Sequence, residues 1–174
     1  MQDITTARLK LRPLVLDDAP FIYELVTDPD WLTYIGDKGV KNIEDAKNYI
    51  INGPQAMYKQ HGFSLLVVKT RDEATPLGMC GLLQRDNLDM PDIGFAFLPI
   101  ARGKAYAVEA AQAVIEHAFN HHQLERLAGL TAMHNQASIK LLQKLGFVLV
   151  GTHLMNPDGP VSNLFELTKT AWAK

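Results

Sequence analysis

The sequence holds a single cysteine, Cys80, so no internal disulfide can form, and a reducing compartment fits that usage. Cys80 also lacks a cysteine partner for a zinc site. No apolar run is long enough to span a bilayer. The N-terminus, "MQDITTARLK", carries no apolar signal segment. A cytoplasmic protein with no membrane association is the expectation. A surplus of either charge is missing too. Lys and Arg number 17, Asp and Glu 19, and the formal net charge is -2, so nothing global points to nucleic acid or an anionic membrane. Internal repeats, low-complexity tracts and Pro/Gly/Ser linkers are absent, which predicts one domain over residues 1–174. Familiar site signatures fail as well. Gly103-Lys104 is followed by Ala105 rather than Ser or Thr, with no glycine five residues before Gly103, so there is no Walker loop. Neither G-x-G-x-x-G nor G-x-S-x-G occurs, which removes support for a dinucleotide site or a serine hydrolase.

What is present is ordinary globular composition, 47% hydrophobic and 21% charged, in alternating strand and helix patterns. "ARLKLRPL" puts Leu9 and Leu11 on one face of a strand. "LDDAPFIYELVTD" predicts a helix capped by Asp17 or Asp18, with Phe21, Ile22, Leu25 and Val26 on one face. "DPDWLTYIGDKGV" reads as a loop from its Pro and Gly content. "NIEDAKNYIING" is a helix capped by Asn42 and stopped near Gly53-Pro54, and "MYKQ" can add a turn. Three strands follow in "FSLLVVKT", "PLGMCGLLQRD" and "DIGFAFLPI". A helix runs from about Ala105 to Asn120, then a strand "RLAGLTAM". "NQASIKLLQKLGF" is a helix with Asn135 at its start and Gly146 in the left-handed position past its end. "FVLVGTHL" and "NLFELTKTAW" close a final hairpin. The order β-α-α-β-β-β-α-β-α-β-β predicts a mixed α/β sheet.

Between the third middle strand and the long helix lies "ARGKAYAVEA". A basic, small-residue turn there can present backbone N–H groups to a phosphate, or it can be a plain βα connection. His117 and His121, four apart, could share a helix face. They lack the glutamate of H-E-x-x-H and a third ligand, so a solvated helix end is the better reading and no metal is expected.

Taken together and in order, "RLKLRPL", "DIGFAF", "RGKAYA" and "NQASIKLLQKLGF" resemble the GNAT N-acetyltransferase superfamily. "TARLKLRPLVLDDA" and "EDAKNYI" look like the branch that contains the ribosomal-protein N-terminal Ala/Ser acetyltransferases. The resemblance implies a mostly antiparallel sheet of about seven strands, splayed in the middle, with about four helices. It implies acetyl-CoA as cosubstrate and a primary amine as acceptor, either a ribosomal or other protein N-terminus or a small-molecule amine, in a monomer or homodimer. Arg102 and Ala107 match the ends of the family's phosphate-binding pattern, and Ala105 stands where the family has Gly. Gly103, Lys104, Ala105, Tyr106 and Ala107 would then cradle pyrophosphate with their N–H groups. Alanine keeps the N–H, and a residue near a helix start normally has negative φ, so the replacement is expected to be tolerated, at a steric cost only if the turn needs a positive φ or the pyrophosphate packs against the Cα. Free backbone groups at Phe97 and Leu98 would hold pantetheine in the splay, Asn135 would touch the cofactor arm, and Ser138 could approach the CoA sulfur. Asp92 falls where many relatives have Glu, as a general base or as a plain hairpin residue. The tyrosine acid of many relatives is replaced by Leu142. The loop "TDPDWLTYIGDK" is expected to line the acceptor side. The same residues also suit an acyl-CoA-binding regulatory module without turnover, or an assembly partner of the same fold.

Overall fold

The computed structural model describes residues 3–174. Two short strands, β1 (Ile4–Thr5) and β2 (Leu9–Pro13), lead into a 3-10 turn and α1 (Ala19–Val26). Helices α2 (Pro29–Tyr34) and α3 (Ile43–Ile50) follow. A π-helical stretch (Ile51–Gln55) joins α3 to α4 (Ala56–His61). The middle is β3 (Leu65–Thr70), β4 (Pro76–Leu83), β5 (Asp92–Phe97), α5 (Tyr106–Asn120), β6 (Arg126–Ala132) and α6 (Gln136–Lys144). The hairpin β7 (Val148–Leu154) and β8 (Val161–Thr168), then α7 (Lys169–Trp172), end the chain.

The described strands form one eight-stranded sheet in the order β1-β2-β3-β4-β5-β6-β8-β7. Every neighbouring pair is antiparallel except β5 and β6. Those two are parallel and pair only at Asp92 with Ala128 and Ile93 with Gly129. β5 follows β4 along its whole length, while β6 follows β8. Each strand is held by its outer neighbour, and sheet twist then carries the two halves apart. The expected central splay is therefore present, and it opens toward the end of β5.

Both faces of the central strands are covered, while the edge strand β7 is exposed. α5 lays Ala110, Ala111, Val114, Ile115, Ala118 and Phe119 onto one face, where three alanines let the helix approach closely. α1 and α3 cover the other face with Ile22, Leu25, Val26, Ala46 and Ile50, over Val67 and Met79. A strand buried on both sides reads as a continuous apolar run, as "PLGMCGLL" does in β4.

Several local expectations hold and several do not. Asn42 caps α3, accepting the Asp45 N–H at 2.8 Å. Past α6, Gly146 has φ +97°. The Gly146 N–H donates to the Gln143 carbonyl and the Phe147 N–H to the Leu142 carbonyl, each at 3.0 Å, closing a Schellman end. The caps proposed for α1 fail. Asp18 turns back and accepts two 2.8 Å bonds from Arg12 and one of 2.9 Å from the Val15 N–H. The helix does not stop at Gly53-Pro54 either. Proline lacks an N–H and crowds the preceding turn, and a local π widening accommodates both without ending the rod. The segment read as a loop contains α2, with Pro29 in its first turn and Asp28 as its cap, accepting the Asp30 N–H at 3.2 Å. The short β1 strand carries too little pattern to be seen in advance.

Candidate active site

The splay opens a cleft of about 820 Å³ between β5 and β6. One end is walled by the N-terminus of α5 and the start of α6. The other is walled by α2, α3 and the start of β5. Strand geometry explains what the cleft presents. The Leu98 N–H donates to the Leu77 carbonyl at 2.8 Å, on the β4 side. With a period of two, Phe95 and Phe97 turn their N–H and C=O groups to the opposite edge, into the splay where β6 has left. Phe97 thus presents backbone groups that β4 does not take up. Leu98 is a correction: its N–H is spent on Leu77, its C=O accepts the Ala101 N–H at 3.0 Å, and its side chain is buried.

The turn after β5 runs through a 3-10 segment (Pro99–Ala101) to α5. Gly103 has φ +74° and Ala105 φ +61°. The negative φ expected at Ala105 is wrong. Ala105 is the residue before the first helical turn, outside the helix proper, and the chain must reverse there to start α5. Its carbonyl still accepts the Glu109 N–H at 3.1 Å. A left-handed alanine is strained by roughly 1–2 kcal/mol, because Cβ crowds the following carbonyl. No side chain caps α5, so the N–H groups of its first turn remain for a ligand at the positive end of a 15-residue helix. Gly103, Ala105, Tyr106 and Ala107 all line the cleft. Arg102 does too, with its guanidinium on Asp28 (3.4 Å) and Asp30 (2.8 Å). Lys104 is exposed and does not line the cleft.

On the facing wall, Asn135 caps α6 by accepting the Ser138 N–H at 3.2 Å. Both residues are half-buried and line the cleft. Leu142 is fully buried against Gly129, where a Cβ would meet its Cδ1 at 2.8 Å, so that position belongs to the core. Asp92 sits at the start of β5, 1% exposed, with Arg85 Nε 3.0 Å from one carboxylate oxygen and Nη2 3.4 Å from the other. Burial pushes its pKa above the usual carboxylate range, opposed by the Arg85 charge and hydrogen bond and by the charge of His153. Asp92 lines the cleft from the first position of β5, where it pairs with Leu83 of β4.

A family model described as an acetyltransferase (GNAT) domain matches residues 8–148. The chain belongs to the GNAT acetyltransferase family. YkkB of Bacillus subtilis is 32% identical over 146 residues, covering 82% of this chain and 83% of that one. The N-acetyltransferase YnaD of the same organism is 31% identical over 143 residues, covering 82% and 81%. Among solved structures, an acetyltransferase from Agrobacterium tumefaciens superposes with a TM-score of 0.82 at 21% identity, covering 97% of this chain and 95% of that chain. RimL, a ribosomal L7/L12 alpha-N-protein acetyltransferase solved with coenzyme A, gives 0.81 at 18%, covering 98% and 99%. At those identities the structural likeness carries the GNAT fold alone.

Reading the sequence misses the partners of the GNAT cleft. Arg85 lies in a turn-like stretch, and only folding brings its guanidinium to Asp92. Thr131 is buried and accepts the Asn163 amide at 3.0 Å, tying the cleft wall on β6 to β8. Tyr49 and Trp31 meet edge to face at 6.5 Å on the α2–α3 side. Burial pushes the Tyr49 phenol up to about 12, so it stays a protonated donor. Among the described residues no cluster of three or more His, Cys, Asp or Glu side chains is arranged to hold a metal ion.

Proposed function

We propose that the whole chain is one catalytic domain that transfers acetyl from acetyl-CoA to a primary amine by direct attack. The carrying observation is the juxtaposition of the uncapped α5 terminus with the unpaired edge of β5 in one cleft. The α5 N–H groups and Arg102 suit a pyrophosphate, and the Phe97 backbone suits the amide-rich arm, as an added strand would. The acetyl thioester supplies an activated acyl group. Asp92 takes the proton of the incoming ammonium through a water, because its own carboxylate is buried and clamped by Arg85. The amine nitrogen bonds to the carbonyl carbon, the C–S bond breaks, and Ser138 passes the second proton shed by that nitrogen on to the departing sulfur, so that its hydroxyl ends as it began. A β5 N–H in the splay polarises the carbonyl oxygen during attack. Holding both reactants in one cleft removes most of the entropic cost of their meeting. The acceptor enters from the α2–α3 side, and protein N-termini beginning with Ala or Ser are the first candidates, given the RimL likeness in fold. A buried free Cys80 suits a reducing cytoplasm.

The test is release of CoA thiol from acetyl-CoA with a panel of peptides, polyamines and aminosugars. At least one amine is expected to be acetylated, and Ser138→Ala is expected to lower kcat with little change in KM. Tight acetyl-CoA binding without turnover on any amine would favour a binding module instead.

A further inference from the structure

The acid groups of α2 reach across the cleft to the phosphate side. Asp28 and Asp30 are 74 and 72 residues from Arg102 in sequence, yet both contact its guanidinium, at 3.4 and 2.8 Å. One cation between two carboxylates leaves a net charge of -1 beside the proposed pyrophosphate position. That arrangement opposes anion binding as it stands. It is also easily broken. Arg102 is 46% exposed and Asp30 54%, and half-exposed pairs are weak in water, while Asp28, 13% exposed, stands at the longer 3.4 Å. A phosphate offers Arg102 bidentate, charge-assisted bonds instead.

Releasing Arg102 changes α2. This helix has six residues and is tied to the body mainly by Trp31, which is 5% exposed, with its indole N–H on the Gly36 carbonyl at 3.1 Å. Leu32 and Ile35 stay exposed, and Gly36 follows at φ +112°. The Arg102 pair is a further tie, and it joins α2 to the turn after β5.

We propose that Asp28 and Asp30 form a latch on Arg102 that phosphate must displace, so that loading the α5 cradle releases α2 and reshapes the acceptor half of the cleft. Asp28 and Asp30 are positioning residues, acting through Arg102. The proposal rests on the reading of Arg102 as a phosphate contact.

Coenzyme A itself is the probe. The sequence has two tryptophans, so Trp172→Phe leaves Trp31, next to Asp30, as the reporter. In that background, calorimetry and Trp31 fluorescence are recorded during CoA titration. Trp31 emission is expected to change on CoA binding. Asp28→Asn with Asp30→Asn is expected to bind CoA about three- to tenfold more tightly, as two weak competing pairs are removed. Its emission without CoA should already resemble the loaded parent. Asn caps a helix as well as Asp, so α2 survives the change. Asp30→Asn alone, the less disruptive variant, should move both readouts in the same direction, and Asp30→Glu should restore them. Asp37→Asn, which alters the same charge without touching Arg102, should do much less. Unchanged or weaker CoA binding in Asp30→Asn, or an equal effect of Asp37→Asn, would overturn the latch while leaving the CoA site intact. Absence of CoA binding to the parent would overturn the reading of the site itself, and the latch with it.

Discussion

Asp92 is where burial and chemistry meet. Its carboxylate is buried, its pKa is raised, and Arg85 keeps it from rising further. If Asp92 is the base proposed above, its raised pKa means that activity is lost as pH falls through that value, and an acid limb in the rate is expected. Asp92→Asn should lower kcat at pH 7 about a hundred- to ten-thousandfold, remove that limb, and recover partly at high pH as free amine accumulates. Calorimetry should show unchanged CoA affinity. The check is a pH–rate profile of both proteins with one acceptor; matching profiles would make Asp92 structural only. At Ala105 the expectation is gain. Glycine removes the left-handed strain of roughly 1–2 kcal/mol. It adds roughly 0.4–1 kcal/mol of unfolded-state entropy in opposition. Ala105→Gly should therefore be more stable by about 0.5–1 kcal/mol in urea unfolding, with CoA affinity within about tenfold. The family's glycine was visible as missing in the sequence. Its reason, a positive φ, was not, because φ is set by how the turn leaves β5 and enters α5.

At the scale of elements, the α5 terminus separates stability from binding. A Glu in the first turn suits the helix dipole and contributes about 0.3–1 kcal/mol. Ala107→Glu should thus fold as well as the parent or better, yet lose CoA affinity more than tenfold, because its carboxylate would occupy the proposed anion site. Thermal melts and calorimetry together check the opposite signs. An intact affinity would place the phosphates elsewhere. Helices α3 and α6 were legible because apolar period and caps agreed, and α1 and α5 from their apolar period alone. α2 was not, since "DPDWLTY" holds the same Pro and Asp that mark loops. Those residues are also the N1 proline and cap of a short helix, and only packing of Trp31 decides between the two uses.

For the whole molecule, acid sensitivity should begin at the far end of α5. His117, His121 and His122 stack or meet edge to face with ring centroids 4.4–5.2 Å apart. Burial lowers the pKa of His117 and His122, and their neighbouring histidines lower it further. Groups whose folded pKa is depressed contribute stability above the unfolded value, about 6.5 for His, and lose it as pH falls below that. The urea midpoint should therefore fall between pH 7.5 and 5.5, and fall less in His122→Phe. Asp18 acts in a lower window. Burial pushes it up, but the Arg12 and Val15 hydrogen bonds and the charges of Arg12 and Lys69 bring it below the ordinary value. Its contribution is lost only below about pH 4. A flat midpoint down to pH 5.5 would show the histidine cluster to be solvated.

By itself the sequence determined the local matters: where apolar period changes from two to 3.6, where Asn42 and Asn135 start helices, where Gly146 ends one, and which turn follows β5. Each depends on residues within one or two turns of each other. Tertiary structure alone decided that Arg85 clamps Asp92, that Leu98 spends its backbone on Leu77, and that Asp28 and Asp30 hold Arg102. It also decided that β5 and β6 part after two pairs. Those outcomes join segments up to 74 residues apart. Hydrogen bonds and ion pairs act over a few ångströms, so their partners exist only once the sheet has set its order and twist.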